Sequence, residues 1–356
     1  MGKKTILFRC DGSREIGFGS VVRCLALADE LSQVHHVPSA FAMRESPLAF
    51  DMVRQKGYPV LATPQQADDE AFDYIRWLDG SISQVGAGAL ILDVRDDLQR
   101  DAVDTWRRQG VLVVALDDPS ERRLAADLAF YPPVPQVQNL DWSGFSGQLY
   151  TGWEWVVLRR ELSHRPQPRS FHESSPVREH PRRPVVLVTM GGSDPEGLTL
   201  KAVAALDLLY EDFETVLVLG PAFPHNEELK SLLAAARRSY TVKSCVTDMP
   251  ALMAHSSLAV TSFGVTAYEL AALGIPAIYV CLTQDHFASS TCLVDAGMGK
   301  SLGVFSQVSE EMLADAVREL LARIADGEKM IRRPVDGRGA ERIALLVAER
   351  MRSGEL

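Results

Sequence analysis

Cysteine is scarce and scattered in this chain. Its 356 residues include five cysteines, Cys10, Cys24, Cys245, Cys281 and Cys292. Their number is odd and none forms a C-x-x-C pair, which excludes a disulfide framework or a zinc ribbon and reads as reduced thiols. An excess of positive charge is missing too. Lys and Arg total 37 against 47 Asp and Glu, a net charge of −10, so a general nucleic-acid surface is excluded. No apolar run approaches the ~20 residues that span a bilayer. Met1-Gly-Lys-Lys-Thr5 leads straight into a strand pattern with no signal-peptide core. A cytoplasmic chain with no membrane span is expected. Metal-ligand spacing is also wanting: Asp93 and Asp96, and Asp117 and Asp118, have no histidine or third acid placed to complete a site. No metal and no cofactor are expected, and oligomeric state is left open.

What is present is length for two cores and strand–helix alternation in both halves. Strands are expected at 5–9, 38–43, 87–93, 111–116 and 127–130, with helices near 20–34, 47–56, 68–78 and 97–109. Continuous apolar runs such as Gly88–Asp93 and Val111–Leu116 suit parallel strands covered on both faces. Residues 163–184 carry prolines and basic residues with no apolar period, a solvated linker rather than a polyanion patch. Alternation then resumes, with strands at 185–190, 214–219, 240–243, 257–261, 276–281 and 300–303 and helices near 197–209, 226–237, 264–273, 285–295, 308–325 and 339–352. The expected organisation is an α/β domain at 1–162, the linker, a second α/β domain at 185–335, and a last helix within 336–356 placed to pack back on the first domain. Each domain reads as a doubly wound parallel sheet, with a ligand cleft between the two.

The richest motif joins the first strand to the first helix: Arg9-Cys10-Asp11-Gly12, then Ile16-Gly17-Phe18-Gly19-Ser20, then Arg23. Strand, glycine loop and helix together aim a helix amino end at an anionic or polar ligand. Asp11, Gly17, Gly19, Ser20 and Arg23 are therefore candidates, joined by Asp93 and Asp117 at later strand ends. For most of these acids the plain alternative is loop capping. In the second half Gly191-Gly192-Ser193-Asp194-Pro195 follows a buried-strand pattern; it suits close approach to a phosphate or sugar, or equally a tight turn with Ser193 or Asp194 as cap and Pro195 first in the helix. Ser262-Phe263-Gly264 precedes another helix, whose free N–H groups suit a diphosphate. Glu269, further along, suits paired ribose hydroxyls; standing alone it reads as a surface glutamate on an amphipathic helix. Gln284 and His286 follow the next strand, where a sugar or diphosphate contact competes with a capping or surface role.

Taken together these segments resemble the bacterial nucleotide-sugar hydrolases of pseudaminic acid biosynthesis and the related spore-coat polysaccharide proteins of the SpsG type. The likeness rests on Arg9–Gly12, Ile16–Gly19, Arg23–Ala28, Leu116–Pro119, Ala126–Leu128, Gly152 with Val157–Arg159, Gly191–Asp194, Asp248-Met249, Gly264 through Glu269-Leu270 to Gly274–Pro276, and Gln284. The C-terminal set also resembles nucleotide-sugar glycosyltransferases of the MurG type. The resemblance implies a GT-B fold, UDP held by the second domain through Gly191, Gly192, Ser193, Ser262, Phe263, Gly264 and Glu269, the sugar facing the first domain, and no metal. The family's glycine loop ends in a histidine that serves the attacking water; this chain has Ser20 there, and a hydroxyl cannot act as base near pH 7. Where the family often has Asp-x-Tyr, this chain has Asp93-Val94-Arg95. The implied activity is hydrolysis of a UDP-sugar in surface-glycan biosynthesis. The alternatives are transfer to an alcohol acceptor and binding without catalysis.

Overall fold

A computed structural model of the chain describes residues 4–64, 72–96, 98–163, 183–244, 246–327 and 333–353. It divides into two units, Met1–Arg160 with Gly337–Leu356, and Glu161–Asp336. Most of the segment read as a linker, 164–182, lies outside the described residues.

The first unit runs β1 (Thr5–Cys10), α1 (Gly19–Gln33), β2 (Ser39–Met43), α2 (Pro47–Gln55), β3 (Val60–Ala62), α3 (Tyr74–Val85), β4 (Ala87–Asp93), α4 (Arg100–Arg108), β5 (Leu112–Leu116), β6 (Leu128–Tyr131) and β7 (Gln148–Thr151). All neighbouring strands pair in parallel, in the order β3-β2-β1-β4-β5-β6-β7. Strands β1, β2, β4 and β5 are apolar on both faces because helices cover both. On one side Leu7, Leu90, Leu92 and Val113 pack against Leu78 and Ile82 of α3 and Val103 and Trp106 of α4.

The second unit runs β8 (Val185–Thr189), α5 (Leu198–Asp207), β9 (Glu214–Leu219), α6 (Asn226–Ala235), β10 (Tyr240–Ser244), α7 (Met249–Ala254), β11 (Leu258–Thr261), α8 (Val265–Leu273), β12 (Ala277–Cys281), α9 (Gln284–Asp295), β13 (Gly299–Val304) and α10 (Glu310–Ala325). Its parallel sheet has the order β10-β9-β8-β11-β12-β13. Val186, Val188, Leu258, Val260 and Ile278 meet Leu198, Ala202 and Leu206 of α5 and Leu313, Val317 and Leu320 of α10. The last helix, α11 (Gly339–Ser353), belongs to the first unit and packs against α1. Its buried stripe is Ala340, Ile343, Ala344, Val347 and Ala348, the spacing of one helix face.

Three details depart from the sequence reading. The helix expected near 68–78 starts at Tyr74 and runs to Val85. Asp73 fixes that start by accepting from the Arg76 amide at 2.9 Å. Strands β3 and β7 and helix α7 were not anticipated: three, four and six residues long, they are too short to show a period. Pro195 is not the first residue of α5, which begins three residues later at Leu198.

Among the described residues no helix is long and apolar enough to cross a membrane.

Candidate functional site

In the first unit the strand order reverses between β1 and β4. Loops leaving the carboxyl ends of such a pair diverge, which opens the ligand crevice of α/β sheets. The loop after β1 closes on itself, the Ser13 amide donating to the Gly17 carbonyl at 3.1 Å. Gly17 holds a φ of +75° there, which a side chain would strain. Gly19 then opens α1, and Ser20, Arg23 and Cys24, three and four residues apart, share one helix face.

All three converge on Asp93, the last residue of β4, which is fully buried. The Ser20 hydroxyl donates to Oδ1 at 2.9 Å. Arg23 donates Nε to Oδ2 at 2.9 Å and Nη2 to Oδ1 at 2.7 Å, a two-pronged charge-assisted pair. The Cys24 thiol donates to Oδ2 at 3.9 Å. Burial alone would push the Asp93 carboxyl up; the Arg23 guanidinium, with Arg95 and the Ser20 hydroxyl, more than offsets it and holds the pKa below the usual carboxylate value. Burial, then Cys10 and Asp93, push the Cys24 thiol well up, so it stays protonated. Ser20 is thus hydrogen-bonded to a carboxylate too weakly basic to take its proton near neutrality.

The remaining acids are tied to arginines, and Asp11, Asp96 and Asp118 also serve as loop caps, accepting from the amides of Arg44, Leu98 and Ser120. Asp11, a candidate reacting group by sequence, has both oxygens in the fork of buried Arg9, each at 2.6 Å, and also accepts from the Arg44 amide at 2.7 Å. That occupation ties the loop to β1 and β2. Asp96 accepts from Tyr74 at 2.6 Å, from Arg9 at 3.2 Å and from Arg122; Arg122 also holds Asp118 at 2.6 Å. Asp117, just past β5, has a positive φ of 50° and accepts from Arg95 at 3.1 Å. Tyr74 and Arg122 carried no motif; only the fold brings them to these acids.

In the second unit the order reverses between β8 and β11. Thr189 and Thr261 are register partners, so Gly191–Ser193 and Ser262–Gly264 leave the sheet side by side. The Ser262 hydroxyl donates back to the Met190 carbonyl at 3.4 Å. The Gly191-Gly192 turn rests on Gly220, where a β-carbon would lie 2.3 Å from the Gly191 and Gly192 carbonyl oxygens. Gly220 follows a strand and precedes a proline, a signal the sequence reading passed over.

Of the helices that start at this edge, α5, α8 and α9 follow the neighbouring strands β8, β11 and β12, and their amino ends differ. Asp194 accepts from the Leu198 and Thr199 amides of α5 at 2.7 and 2.9 Å. Thr283 accepts from the His286 amide of α9 at 3.1 Å. Helix α8 starts after Gly264 with no side-chain cap. Its first-turn amides carry the positive end of the helix dipole, and among the described residues no side chain caps them. Glu269 lies further along α8 and is 2 % exposed; the surface-glutamate alternative is thereby corrected, because α8 is buried nearly all round. The Phe263 ring stands 5.6 Å from Tyr268 and 6.0 Å from His286, centroid to centroid. Gln284, the first residue of α9, is exposed.

No family model matches the chain. It is 25% identical over 345 residues to the spore coat polysaccharide biosynthesis protein SpsG of Bacillus subtilis, covering 95% of this chain and 96% of that protein. It is 22% identical over 297 residues to the UDP-2,4-diacetamido-2,4,6-trideoxy-beta-L-altropyranose hydrolase of Campylobacter jejuni, covering 82% of this chain and 97% of the hydrolase. Against the Methanocaldococcus jannaschii protein MJ1062 it is 24% identical over 277 residues, 75% of this chain but only 54% of that longer protein. Among solved structures, Acinetobacter baumannii MurG superposes with a TM-score of 0.69 at 15% identity over 97% of this chain and 99% of MurG. The S. aureus MnaA–UDP structure does so with 0.66 at 14% identity over 98% and 97%.

The chain fits the SpsG- and PseG-type GT-B family. In this GT-B protein the two strand-order reversals carry the two clusters above, one per unit.

Proposed function

We propose that this GT-B protein is an enzyme of glycan biosynthesis that binds a UDP-sugar and breaks its anomeric C–O bond with release of UDP. The observation that carries the reading is the uncapped amino end of α8 beside helices α5 and α9, whose first amides are already answered. Diphosphate oxygens are the ligand such an end attracts. The same amides meet the charge that builds on the leaving diphosphate, with Gly191, Gly192, Ser193, Ser262 and Phe263 alongside. Buried Glu269 accepts from the ribose hydroxyls, and Gln284 and His286 serve the diphosphate or sugar. SpsG is named for polysaccharide biosynthesis, the Campylobacter relative is a UDP-sugar hydrolase, and the MnaA structure holds UDP; each supports this assignment. The first unit takes the sugar and acceptor, with Gly17, Gly19, Ser20 and Arg23 at that end and Asp93 holding Ser20 and Arg23 in place.

Hydrolysis of the nucleotide sugar is the leading reading. Transfer to an alcohol acceptor is the second, favoured by one observation: Ser20 offers no base, and Asp93 stays ionised in the grip of Arg23.

Calorimetry tests the nucleotide assignment. Glu269→Ala removes a charge-assisted pair of bonds, about 1.5–3 kcal/mol, so UDP affinity is expected to fall tenfold or more; unchanged affinity in a folded variant sinks the ribose role. Turnover is expected to survive excess EDTA. Helix amides answer the diphosphate, and among the described residues no group of three His, Cys, Asp or Glu is placed to hold a metal ion. Activity lost to EDTA and restored by magnesium or manganese would overturn that.

A further inference from the structure

The proposed mechanism leaves a set of charges at the carboxyl ends of β4 and β5 without a task. Asp117 stands in a left-handed backbone conformation that Asp and Asn tolerate better than other side chains. Its Oδ2 accepts from Arg95 Nη2 at 3.1 Å and lies 3.6 Å from Arg23 Nη1. Arg23 is fixed from behind, because its Nε and Nη2 are held by buried Asp93. Turning its plane would break a two-pronged pair. Its Nη1 makes no hydrogen bond with a described residue, 3.6 Å being beyond that range. Arg95 is half exposed, and its one other hydrogen bond among the described residues goes to the Val94 carbonyl at 3.4 Å. Two guanidinium groups, one rigid and one adjustable, therefore converge on a single carboxylate oxygen. Forked guanidinium donors of this kind suit a planar oxyanion, and here a carboxylate of the chain itself fills the place.

We propose that Arg23 and Arg95 are a receptor for the carboxylate of an acidic saccharide, and that Asp117 occupies the receptor until the saccharide arrives. The inference rests on the reading that the first unit takes the sugar and acceptor. No bond is made or broken: one carboxylate replaces another on the same donors, Asp93 keeps its hold on Arg23, and Asp117, itself partly exposed, turns to water.

Asp117→Asn tests this in the full-length protein, since Asn keeps the left-handed backbone and removes the competing charge. Calorimetry with glucuronate and glucose compares two probes that differ in the carboxylate. The variant is expected to bind glucuronate at least fivefold more tightly than the unsubstituted protein, with glucose unchanged. Adding Arg95→Ala should abolish the gain. Equal glucuronate affinity with and without Asp117→Asn, or a gain that survives Arg95→Ala, overturns the receptor. The same comparison with UDP-glucuronate and UDP-glucose assigns the acid: a gain there places it on the donor sugar, and a gain confined to free glucuronate places it on the acceptor. UDP titrated alone into the same samples tests the nucleotide assignment separately, since a protein that fails to bind UDP leaves the glucuronate result standing.

Discussion

Asp96→Ala is expected to lower the stability of the first unit by about 3–5 kcal/mol, the cost of breaking a buried ion pair by deleting one partner. Asp96 accepts from Arg9, Arg122 and Tyr74, and both arginine side chains are at most 1% exposed. Without it each retains one carboxylate, Asp11 or Asp118, but faces an empty place where a charge stood. The measurement is selective by good fortune of sequence. All five tryptophans, Trp77, Trp106, Trp142, Trp153 and Trp155, lie in the first unit, so urea unfolding followed by their fluorescence reports that unit. The pH dependence has a definite sign. Burial would raise the Asp96 carboxyl, but Arg9, the Tyr74 hydroxyl and Arg122 outweigh it and hold the folded pKa below the ordinary value. A carboxylate depressed on folding stabilises fully above its unfolded pKa of about 3.9, and loses that contribution as pH falls towards its folded pKa. The gap between the protein and Asp96→Ala should therefore stay constant from about pH 7 to pH 5 and narrow below about pH 4. A loss under about 1 kcal/mol at neutral pH, the worth of an exposed pair, would show that the network is not a buried tie.

Ser20→His is expected to raise the release of free sugar from a nucleotide sugar by about 10²-fold or more, within the range a positioned general base supplies. The serine oxygen stands 2.9 Å from Asp93. An imidazole grown from the same helix position would place one ring nitrogen on that carboxylate, the orienting contact a catalytic histidine uses, and leave the other for water. Rate should fall as the imidazole protonates at low pH. If the unsubstituted protein is a transferase, the same change should divert turnover from the acceptor to water. UDP affinity should be unchanged by Ser20→His or Ser20→Ala, because Glu269 and the start of α8 belong to the other unit. Chromatography of sugar, nucleotide and acceptor products reads all of these outcomes. Should Ser20→Ala abolish a fast hydrolysis, Ser20 is itself the reacting group and the role given to Asp93 is wrong.

The sequence by itself determined the inner strands of both sheets and the glycine loops. Apolar runs such as Leu90–Leu92 and Val186–Val188 read as covered parallel strands, because strands buried on both faces carry no alternation to hide them. Gly17, Gly191, Gly192 and Gly264 marked the strand–helix turns, because a chain reversing beside a ligand has few other residues to use. Tertiary structure alone decided the states of the charged groups. Whether Asp93 is a loop cap or the buried anchor of Ser20 and Arg23 depends on residues 70 and 73 positions away. Arg9 meets Asp96 across 87 positions, and no local pattern encodes such a pairing. Glu269 read as a surface residue because periodicity assumes that one helix face meets water; α8 is enclosed nearly all round, so its carboxylate is buried whatever its position on the wheel. The helix ends were decided in the same way. Asp194 was legible as a cap and Thr283 was not, yet both cap their helices while Ser262, of an equally suitable type, leaves α8 uncapped, because capping needs an oxygen brought to the amide, and the loop's path through space sets that distance.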